Sequence, residues 1–585
     1  MALTASTPLE TEPFSAGSDG GKFRVDPPVR QFITVGLRVF RAQLPIVPIV
    51  LATVIVAGLC LFAEPLYSQN DDCFFAMAGS GFGAAAHPEP HLVFSHYGYG
   101  LILIALARLI GLNAHGWVTI FSIWLSLVLI IRSSLRAYDR QTFWTLLLVG
   151  MGCVFLGALV SAEFTITAAV LFGAAIANWL VSTDAERRHL STRIVTFSAL
   201  ILCYLIRPES FQMGSVIALP ALFFLWLRRR TIGQGAGFLT LALIIIAVLG
   251  VATDKIAYWT SPEWRDVPEY NDLRAQFMDY HRIPWAVDAP EYRQLGWTYN
   301  DYVMFDMWYM RGPLFTQQNL SLLVEKLGIP VSATAVSQIR DWFLFAFDSW
   351  PLQLSLSAQL LLCLLLSKER RWVGLLVLLG ECAAISAASL TGREPTDYVW
   401  TAAASITLMF LSGLLIVCIP ANDSFFRNLG LALGSLAGVV TAAVVFSQHL
   451  GDCREAADYR SWVNQNIQYF HGKATAWDTG LFWQYLITPT RIYPPFPELK
   501  VASIDDLNRM PIETDMLNEL GIDDLAKDLC TDPEMHLFTD DDHPAALVRF
   551  CQQHYGITPV FKAVAHWQWT GIYVLDNQES PKQSP

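Results

Sequence analysis

The chain has 585 residues, of which 53% are hydrophobic and only 15% are charged, and its formal net charge is −12. A soluble protein carries about 25% charged residues, and the apolar runs here are long enough to cross a hydrocarbon core of about 30 Å. The composition therefore excludes an ordinary soluble enzyme and predicts a polytopic α-helical membrane protein. The acidic balance argues against a nucleic-acid partner, which would require basic surface.

The N-terminal segment 1–28 is polar and rich in Ser, Thr, Gly and Pro, which predicts a disordered tail. Arg30, Arg38 and Arg41 precede the first apolar run. Basic residues prefer the cytoplasmic side of a membrane. We therefore expect a cytoplasmic N-terminus and an extracytoplasmic first loop, 64–115.

The apolar runs predict about eleven transmembrane helices within a membrane domain, 29–447. The predicted spans are 43–63, 116–132, 142–160, 165–182, 194–208, 211–227, 237–257, 349–366, 372–390, 398–419 and 429–447. The run Val93–Gly111 is predicted to lie in the outer leaflet instead. This choice places the arginines of the later short loops in the cytoplasm, as the positive-inside rule requires.

Two long segments are predicted on the outer side. The loop 258–340 mixes aromatic and charged residues and is too long for a plain connector, which indicates a lid or a binding loop. Residues 447–585 hold 20 acidic and 10 basic residues. Within them we predict a small extracytoplasmic α/β domain, 448–585, from strand-like and helix-like runs. The strand-like runs are Ala474–Trp477, Leu481–Ile487, Val560–Val564 and Gly571–Leu575. If this domain faces an oxidising compartment, Cys530 and Cys551 are the first candidates for a disulfide.

Asn70-Asp71-Asp72 follows directly on the first apolar run and Glu64-Pro65. Two carboxylates where a helix leaves the bilayer are costly unless they are paired or take part in chemistry. The alternative is that one of them caps the helix through Phe74 and Phe75 while the other is solvated.

Asn70-Asp71-Asp72 is followed by the loop Ser80-Gly81 to His87-Pro88-Glu89-Pro90, then by His91-Leu92-Val93-Phe94, Gly98 and Gly100. This first outer loop resembles that of the GT-C superfamily of membrane glycosyltransferases. The resemblance covers the topology and, in detail, about forty residues. Uncharacterised bacterial GT-C-like proteins have the same order. It implies an enzyme in a bacterial plasma membrane that transfers a hexose or pentose from a polyprenyl-phosphate donor to an extracytoplasmic glycan, lipid or protein.

Such a transfer needs a base for the acceptor hydroxyl and cations for the departing phosphate. Asp71 or Asp72 is the expected base, and burial of two like charges raises the pKa of one of them. Arg207, with Glu209 beside it, and Arg393 are the expected phosphate or sugar ligands, since a guanidinium matches phosphate oxygens. The alternative is that each arginine forms an ion pair with its neighbouring glutamate and joins two loops.

His91 and His96 lie close to the acidic pair in sequence. We expect them to hydrogen-bond the donor. The first alternative is that they are polar side chains at the membrane interface. The second is that they bind a divalent metal such as Mg²⁺ or Mn²⁺ together with nearby carboxylates. Glu163 and Asp301 are expected to contact the acceptor. No CxxC or other metal-ligand spacing occurs, so a divalent metal stays an alternative and no cofactor is assigned. The chain has no Gly-rich nucleotide loop, so bound ATP is not expected.

Three alternative functions remain open at this point. A lipid or glycan transporter requires charged or helix-breaking residues in the middle of several spans, whereas the charges here gather at the outer ends. A glycan polymerase or ligase with a pyrophosphate-linked donor is favoured by arginines in the large loop: Arg265, Arg274, Arg282, Arg293 and Arg311. A non-enzymatic scaffold would use the outer domain to bind a partner protein.

Overall fold

The computed structural model describes residues 46–111, 113–137, 140–228, 231–280, 285–327, 335–418, 425–478, 482–504 and 509–576. The predicted tail 1–28 and its flanking Arg30, Arg38 and Arg41 lie outside these ranges, as does Arg282.

Helices dominate the described part of the chain up to residue 465. They are α1 Ile46–Phe62, α2 Asn70–Ser80, α3 Tyr97–Ile110, α4 Ala114–Ser134, α5 Arg140–Gly150, α6 Leu156–Val160, α7 Phe164–Val181, α8 Asp184–Arg188, α9 Leu190–Ile206, α10 Pro208–Leu227, α11 Thr231–Thr260, α12 Val267–Ala275, α13 Trp285–Gln294, α14 Tyr299–Asp306, α15 Gln317–Leu327, α16 Ala335–Asp348, α17 Trp350–Leu365, α18 Lys368–Leu390, α19 Asp397–Cys418 and α20 Phe425–Gln465. A π-helical turn, Met151–Phe155, joins α5 to α6, and another, Gln276–Tyr280, extends α12.

Eight helices in the described part of the chain are long and apolar enough to cross a membrane, which confirms a polytopic helical membrane protein. They are Ala114–Ser134, Gln141–Val160, Phe164–Val181, Pro208–Leu227, Gly235–Thr260, Arg370–Leu390, Asp397–Val417 and Arg427–Gln465. The spans predicted at 43–63, 194–208 and 349–366 correspond to shorter apolar helices, α1, α9 and α17. The count of eleven is therefore not confirmed. The run predicted to lie in the outer leaflet contains α3, which is also short.

Small residues let the central helices approach closely. Helix α7 is the most deeply buried of the eight and packs against α4, α9 and α19. A Cβ added to Gly173 would lie 3.0 Å from Met409, and one added to Gly413 would lie 3.1 Å from Ala177. Close backbone approach of this kind is typical of helix packing in membranes.

Two local features position residues at one end of this bundle. Pro208 begins α10 and disfavours helical geometry in the preceding residue, so α9 ends at Ile206 and Arg207 is extended between the two helices. Strand β1, Leu66–Tyr67, pairs in parallel with β2, Ser161–Ala162. This pairing brings the start of α2 beside Glu163, which is the N-cap of α7.

The C-terminal part contains a sheet, as predicted. Its elements are β3 Ala474–Asp478, α21 Trp483–Leu486, β4 Ile487–Thr488, β5 Arg491–Ile492, β6 Val501–Ile504, α22 Pro511–Glu519, α23 Leu525–Leu529, β7 Met535–Asp540, α24 His543–Tyr555, β8 Phe561–Trp567 and β9 Thr570–Leu575. The five-stranded sheet has the order β6-β3-β7-β9-β8; β3 is parallel to β6 and β7, and β9 is antiparallel to β7 and β8.

Three of the four predicted strands are confirmed as β3, β8 and β9. The strand predicted over Leu481–Ile487 is wrong for most of its length, because α21 is a helical turn there. Strands β6 and β7 were not predicted. Cys530 and Cys551 form a disulfide, as expected.

The large loop 258–340 and the C-terminal sheet share one hydrophobic core, which includes Phe305 and Leu320 of the loop together with Leu537 and Phe550 of the C-terminal part. Polar contacts reinforce it: His554 donates to Asp301 at 2.6 Å. Helix α20 runs without a break through residue 447, so the predicted domain boundary lies inside a helix. The division into 29–447 and 448–585 stays a prediction.

Candidate active site

A cavity of about 530 Å³ lies where one end of the helix bundle meets the large loop and the sheet. Its lining residues are Gln69, Asn70, Asp71, Phe94, Glu163, Phe164, Thr165, Arg207, Glu209, Asn271, Asp272, Arg274, Ala275, Asp279, Trp308, Arg393, Thr396, Tyr398 and Asp478. Five of the predicted catalytic and binding residues are among them: Asp71, Glu163, Arg207, Glu209 and Arg393.

The two adjacent aspartates have different environments. Asp71, in the first turn of α2, lines the cavity. Asp72 points away from it and is fully buried. Its Oδ1 lies 2.8 Å from His115 Nε2, and His115 Nδ1 lies 2.7 Å from the Tyr99 hydroxyl. The structure therefore offers Asp71, and not Asp72, to a ligand in this cavity.

Burial, together with the negative charges of Glu163 and Asp71, raises the pKa of Asp72 well above its ordinary value. The protonated form of Asp72 is favoured as a result.

Glu163 combines a structural and an electrostatic role. It is the N-cap of α7, where its carboxylate accepts from the backbone N–H of Ile166 at 2.6 Å. Burial raises its pKa, and hydrogen bonds from Thr165 and Ile166 and the charge of Arg207 oppose this shift. Glu163 is thus fixed at the cavity wall beside Arg207.

Arg207 is held rigidly at the break between α9 and α10. Its Nη1 donates to the Phe94 carbonyl oxygen at 2.7 Å, and its Nε lies 3.1 Å from the Glu209 carboxylate. The guanidinium carbon lies 4.8 Å from the centre of the Phe164 ring. The ion pair with Glu209 was the alternative considered from sequence, and here it occurs together with a position in the cavity.

Arg393 reaches the cavity from the hairpin between α18 and α19. The Trp342 indole donates to the Arg393 carbonyl oxygen at 2.9 Å, and the Trp400 indole donates to the Trp342 carbonyl at 3.0 Å. Two buried tryptophans therefore anchor the backbone of this hairpin. The guanidinium lies 5.7 Å from the centre of the Tyr398 ring, which also lines the cavity.

The other predicted site residues make contacts away from the cavity. His91 bonds Glu89, lies 3.1 Å from the Ser261 hydroxyl and stacks on Trp264 with ring centres 4.9 Å apart. His96 caps α3 by accepting from the Gly98 N–H, and its Nε2 lies 3.1 Å from the Gly250 carbonyl. Asp301 is buried in a capping box with Thr298.

Sequence reasoning did not assign Asn271, Asp279, Trp308 or Asp478 to the site. Arg274 was noted only as one of several arginines in the loop. It is almost fully buried, and its guanidinium donates to Asn271 at 2.6 Å and to the Asp279 carboxylate at 3.2 Å. Trp308 packs 5.2 Å from Arg274 and has a φ of +64°, which is rare for a bulky residue and occurs often at functional sites. The only signal in the sequence was the mixture of aromatic and charged residues in this loop.

The cavity lining is highly charged. It contains six carboxylates and three guanidiniums. Carboxylates accept protons or hydroxyl hydrogen bonds, and guanidiniums bind phosphate oxygens. The arrangement can therefore hold an anionic group next to a base.

One group of side chains in the described ranges has the spacing of a metal site: Asp478, Asp540 and His543. Asp478 also lines the cavity. However, His543 uses both ring nitrogens, Nδ1 with Asp540 at 2.8 Å and Nε2 with the Met307 carbonyl at 3.1 Å. Asp540 also accepts the N–H groups of Asp542 and His543 at the start of α24. This group fits a hydrogen-bonded helix cap better than a metal site.

No family model matches the sequence, and no curated protein matches it. Among solved structures, the chain is similar to ArnT from Cupriavidus metallidurans. The comparison with the crystal structure of ArnT bound to undecaprenyl phosphate gives a sequence identity of 12% and a TM-score of 0.41, and it covers 91% of this chain and 97% of that chain. For apo ArnT the identity is 12% and the TM-score 0.39, over 94% and 98% of the two chains. A function for this chain therefore has to rest on its own residues.

Proposed function

We propose that this protein is a GT-C-type glycosyltransferase of a bacterial plasma membrane. It transfers a hexose or pentose from a polyprenyl-phosphate donor to an extracytoplasmic glycan, lipid or protein. The observation that carries the proposal is the shared cavity of Asp71, Arg207 and Arg393, which lies at one end of a bundle of apolar helices. The sequence resemblance of the first outer loop is consistent with it.

In the proposed reaction, Asp71 takes the proton of the acceptor hydroxyl. The hydroxyl oxygen attacks the anomeric carbon, a new C–O bond forms, and the bond from that carbon to the phosphate oxygen breaks. The electron pair of the broken bond leaves with the polyprenyl phosphate. A positioned base contributes about 10²–10⁴-fold to such a step.

Arg207 and Arg393 are the proposed ligands of the phosphate. Both are positioned by contacts that do not need a substrate, namely the Phe94 carbonyl for Arg207 and the two tryptophans for Arg393. Donors placed in advance where negative charge develops need no reorganisation during the reaction. No step in this mechanism involves a metal.

A second candidate is a glycan polymerase or ligase that uses a pyrophosphate-linked donor. Arg274 favours it, because it adds a third guanidinium to the cavity lining. Against it, the Arg274 guanidinium is already bonded to Asp279 and Asn271. The choice of donor in the assay separates the two candidates.

The test uses the full chain in lipid nanodiscs with radiolabelled polyprenyl-phosphate and polyprenyl-pyrophosphate sugars. We expect turnover of the monophosphate donors, measured as free sugar and as label transferred to membranes of a source strain that lacks the protein. Asp71→Asn should lower turnover at least about 100-fold while binding of undecaprenyl phosphate is retained. Arg207→Gln and Arg393→Gln should each weaken that binding at least about tenfold.

Glu269→Gln is the matched control, because Glu269 is exposed on α12 and is absent from the cavity lining. Full activity of Asp71→Asn would contradict the proposed base. Turnover of pyrophosphate donors alone would favour the polymerase or ligase, and no turnover of either class would rule out the glycosyltransferase.

A further inference from the structure

A second, smaller cavity lies beside the first. Its volume is about 220 Å³, and it is lined by residues of α12 and its approach, of α15, and of the segment before α22. Four of its charged or aromatic residues are not part of the first cavity: Glu263, Asp266, Tyr270 and Arg509. None of them was assigned a role from the sequence.

The two cavities share a wall of side chains. Asn271 and Arg274 line both of them. Arg274 donates to Asn271 at 2.6 Å and to Asp279 at 3.2 Å, and it packs against Trp308 of the first cavity. A molecule in the second cavity would therefore lie next to the proposed catalytic cavity, in contact with two residues that line both.

The charges of the second cavity balance. Glu263 and Asp266 contribute two carboxylates, and Arg274 and Arg509 contribute two guanidiniums. Arg274 is already bonded to Asp279. Arg509 donates to the Phe315 carbonyl oxygen, so both guanidiniums have partners within the protein, and the lining favours a ligand that donates hydrogen bonds to its carboxylates over an anion.

The individual groups suit hydroxyls. Glu263 and Asp266 are exposed and accept hydrogen bonds, and Gln317 both donates and accepts. Arg509 lies 4.8 Å from the centre of the Tyr270 ring and donates to the Phe315 carbonyl. This aromatic–guanidinium pair is fixed between the outer loop and the C-terminal part of the chain, and forms a rigid edge for a planar or cyclic ligand.

We propose that the second cavity binds the acceptor, and that the acceptor part bound there is a neutral, hydroxyl-rich sugar. The inference rests on the proposed function and adds to it the location and chemical class of the acceptor. Arg509 comes from the C-terminal part of the chain, so that part contributes directly to acceptor binding.

The experiment measures two products of one reaction. The full chain in nanodiscs is given a radiolabelled polyprenyl-phosphate sugar together with membranes of a source strain that lacks the protein. Label in the membrane acceptor reports transfer, and free labelled sugar reports hydrolysis. We expect Asp266→Asn and Arg509→Gln each to lower the ratio of transfer to hydrolysis at least tenfold, and Arg509→Lys to restore part of it.

Asp266 is exposed, so its substitution tests the proposal even if Arg509→Gln fails to fold. Glu269→Gln, on α12 three residues after Asp266 but outside both cavities, is the control. An unchanged ratio in Asp266→Asn and in folded Arg509 variants would overturn the acceptor site and leave the proposed function standing. If the unaltered protein neither transfers nor hydrolyses any donor, the proposed function fails, and the acceptor site fails with it.

Discussion

Asp71 and Asp72 are adjacent in sequence, but the first turn of α2 directs them to different surroundings. Successive residues on a helix point about 100° apart, so one carboxylate lines the cavity while the other is buried against His115. The sequence predicted that one of these two adjacent aspartates is the base. It did not decide which one, because the partner of Asp72 lies 43 residues further along the chain.

Asp72→Asn should be far better tolerated than Asp72→Ala. The pKa of Asp72 is raised by burial and then by the nearby Glu163 and Asp71, which favours its neutral form in the folded protein. Asparagine mimics that form and keeps an oxygen for the His115 N–H. Alanine leaves a buried imidazole without this partner, which costs about 1–3 kcal/mol.

Thermal unfolding of both variants in nanodiscs measures this difference. Equal losses of stability would show that the hydrogen bond to His115 does not hold α2 in place. The Asp71→Asn variant serves as the comparison, because its effect should be on turnover and not on stability.

At the scale of elements, the site depends on how helix ends are joined. Asn113 is the N-cap of α4 and has a φ of +66°. Its side-chain oxygen accepts from the Gly116 N–H at 3.0 Å and from the Tyr67 hydroxyl at 3.1 Å. Its side-chain amide donates to the Thr488 carbonyl. One residue thus connects β1, α4 and the C-terminal part of the chain. The hydropathy pattern predicted α4 as a span, but it carried no information about this junction.

Gly116→Ala should loosen the same junction. A Cβ at Gly116 would overlap the Pro489 carbonyl oxygen, which is backbone and cannot rotate away. We expect a loss of about 1–3 kcal/mol, as for overpacking in a core, and a lower midpoint of thermal unfolding.

Gly58→Ala in α1 is the matched control, since nothing lies within 4 Å of its added Cβ. Alanine is the better helix former by about 1 kcal/mol, so this variant should be neutral or slightly stabilised. Equal behaviour of the two variants would contradict the close approach of α4 to Pro489.

At the scale of the whole molecule, the large loop and the C-terminal part pack together around one hydrophobic core. Buried Glu513 on α22 belongs to this contact: it accepts from the Ser503 N–H at 2.9 Å and is near Arg311, which donates to Thr514 at 3.0 Å. Burial raises the pKa of Glu513 to about 8, against the opposing charge of Arg311.

This shift predicts a loss of stability as the pH rises. Between the ordinary value of 4.5 and about 8, folded Glu513 keeps its proton while the unfolded chain releases it, so unfolding becomes more favourable with increasing pH. Glu513→Gln cannot ionise and should lose less stability over this range. Its unfolding midpoint relative to the unaltered protein should therefore rise from pH 5 to pH 8.

Glu519→Gln provides the control, because Glu519 is exposed on the same helix. Parallel stability curves for Glu513→Gln and the unaltered protein would show that Glu513 does not retain its proton in the folded state.

The sequence by itself determined the class of protein and much of the candidate site. Apolar runs mark membrane helices because each helix satisfies its own backbone hydrogen bonds, so the signal is local. Charged residues at the ends of those runs are also a local signal, because they interrupt the apolar pattern. The cavity residues predicted from this signal are Asp71, Glu163, Arg207, Glu209 and Arg393.

Only the tertiary structure decided which of these residues share a cavity. His91, His96 and Asp301 occupy structural positions instead, because their partners come from segments far away in the chain. Arg274, Trp308 and Asp478 enter the site through the packing of the outer loop and the sheet against the helices. Such contacts depend on long-range packing, which leaves no periodic pattern in the sequence around each residue.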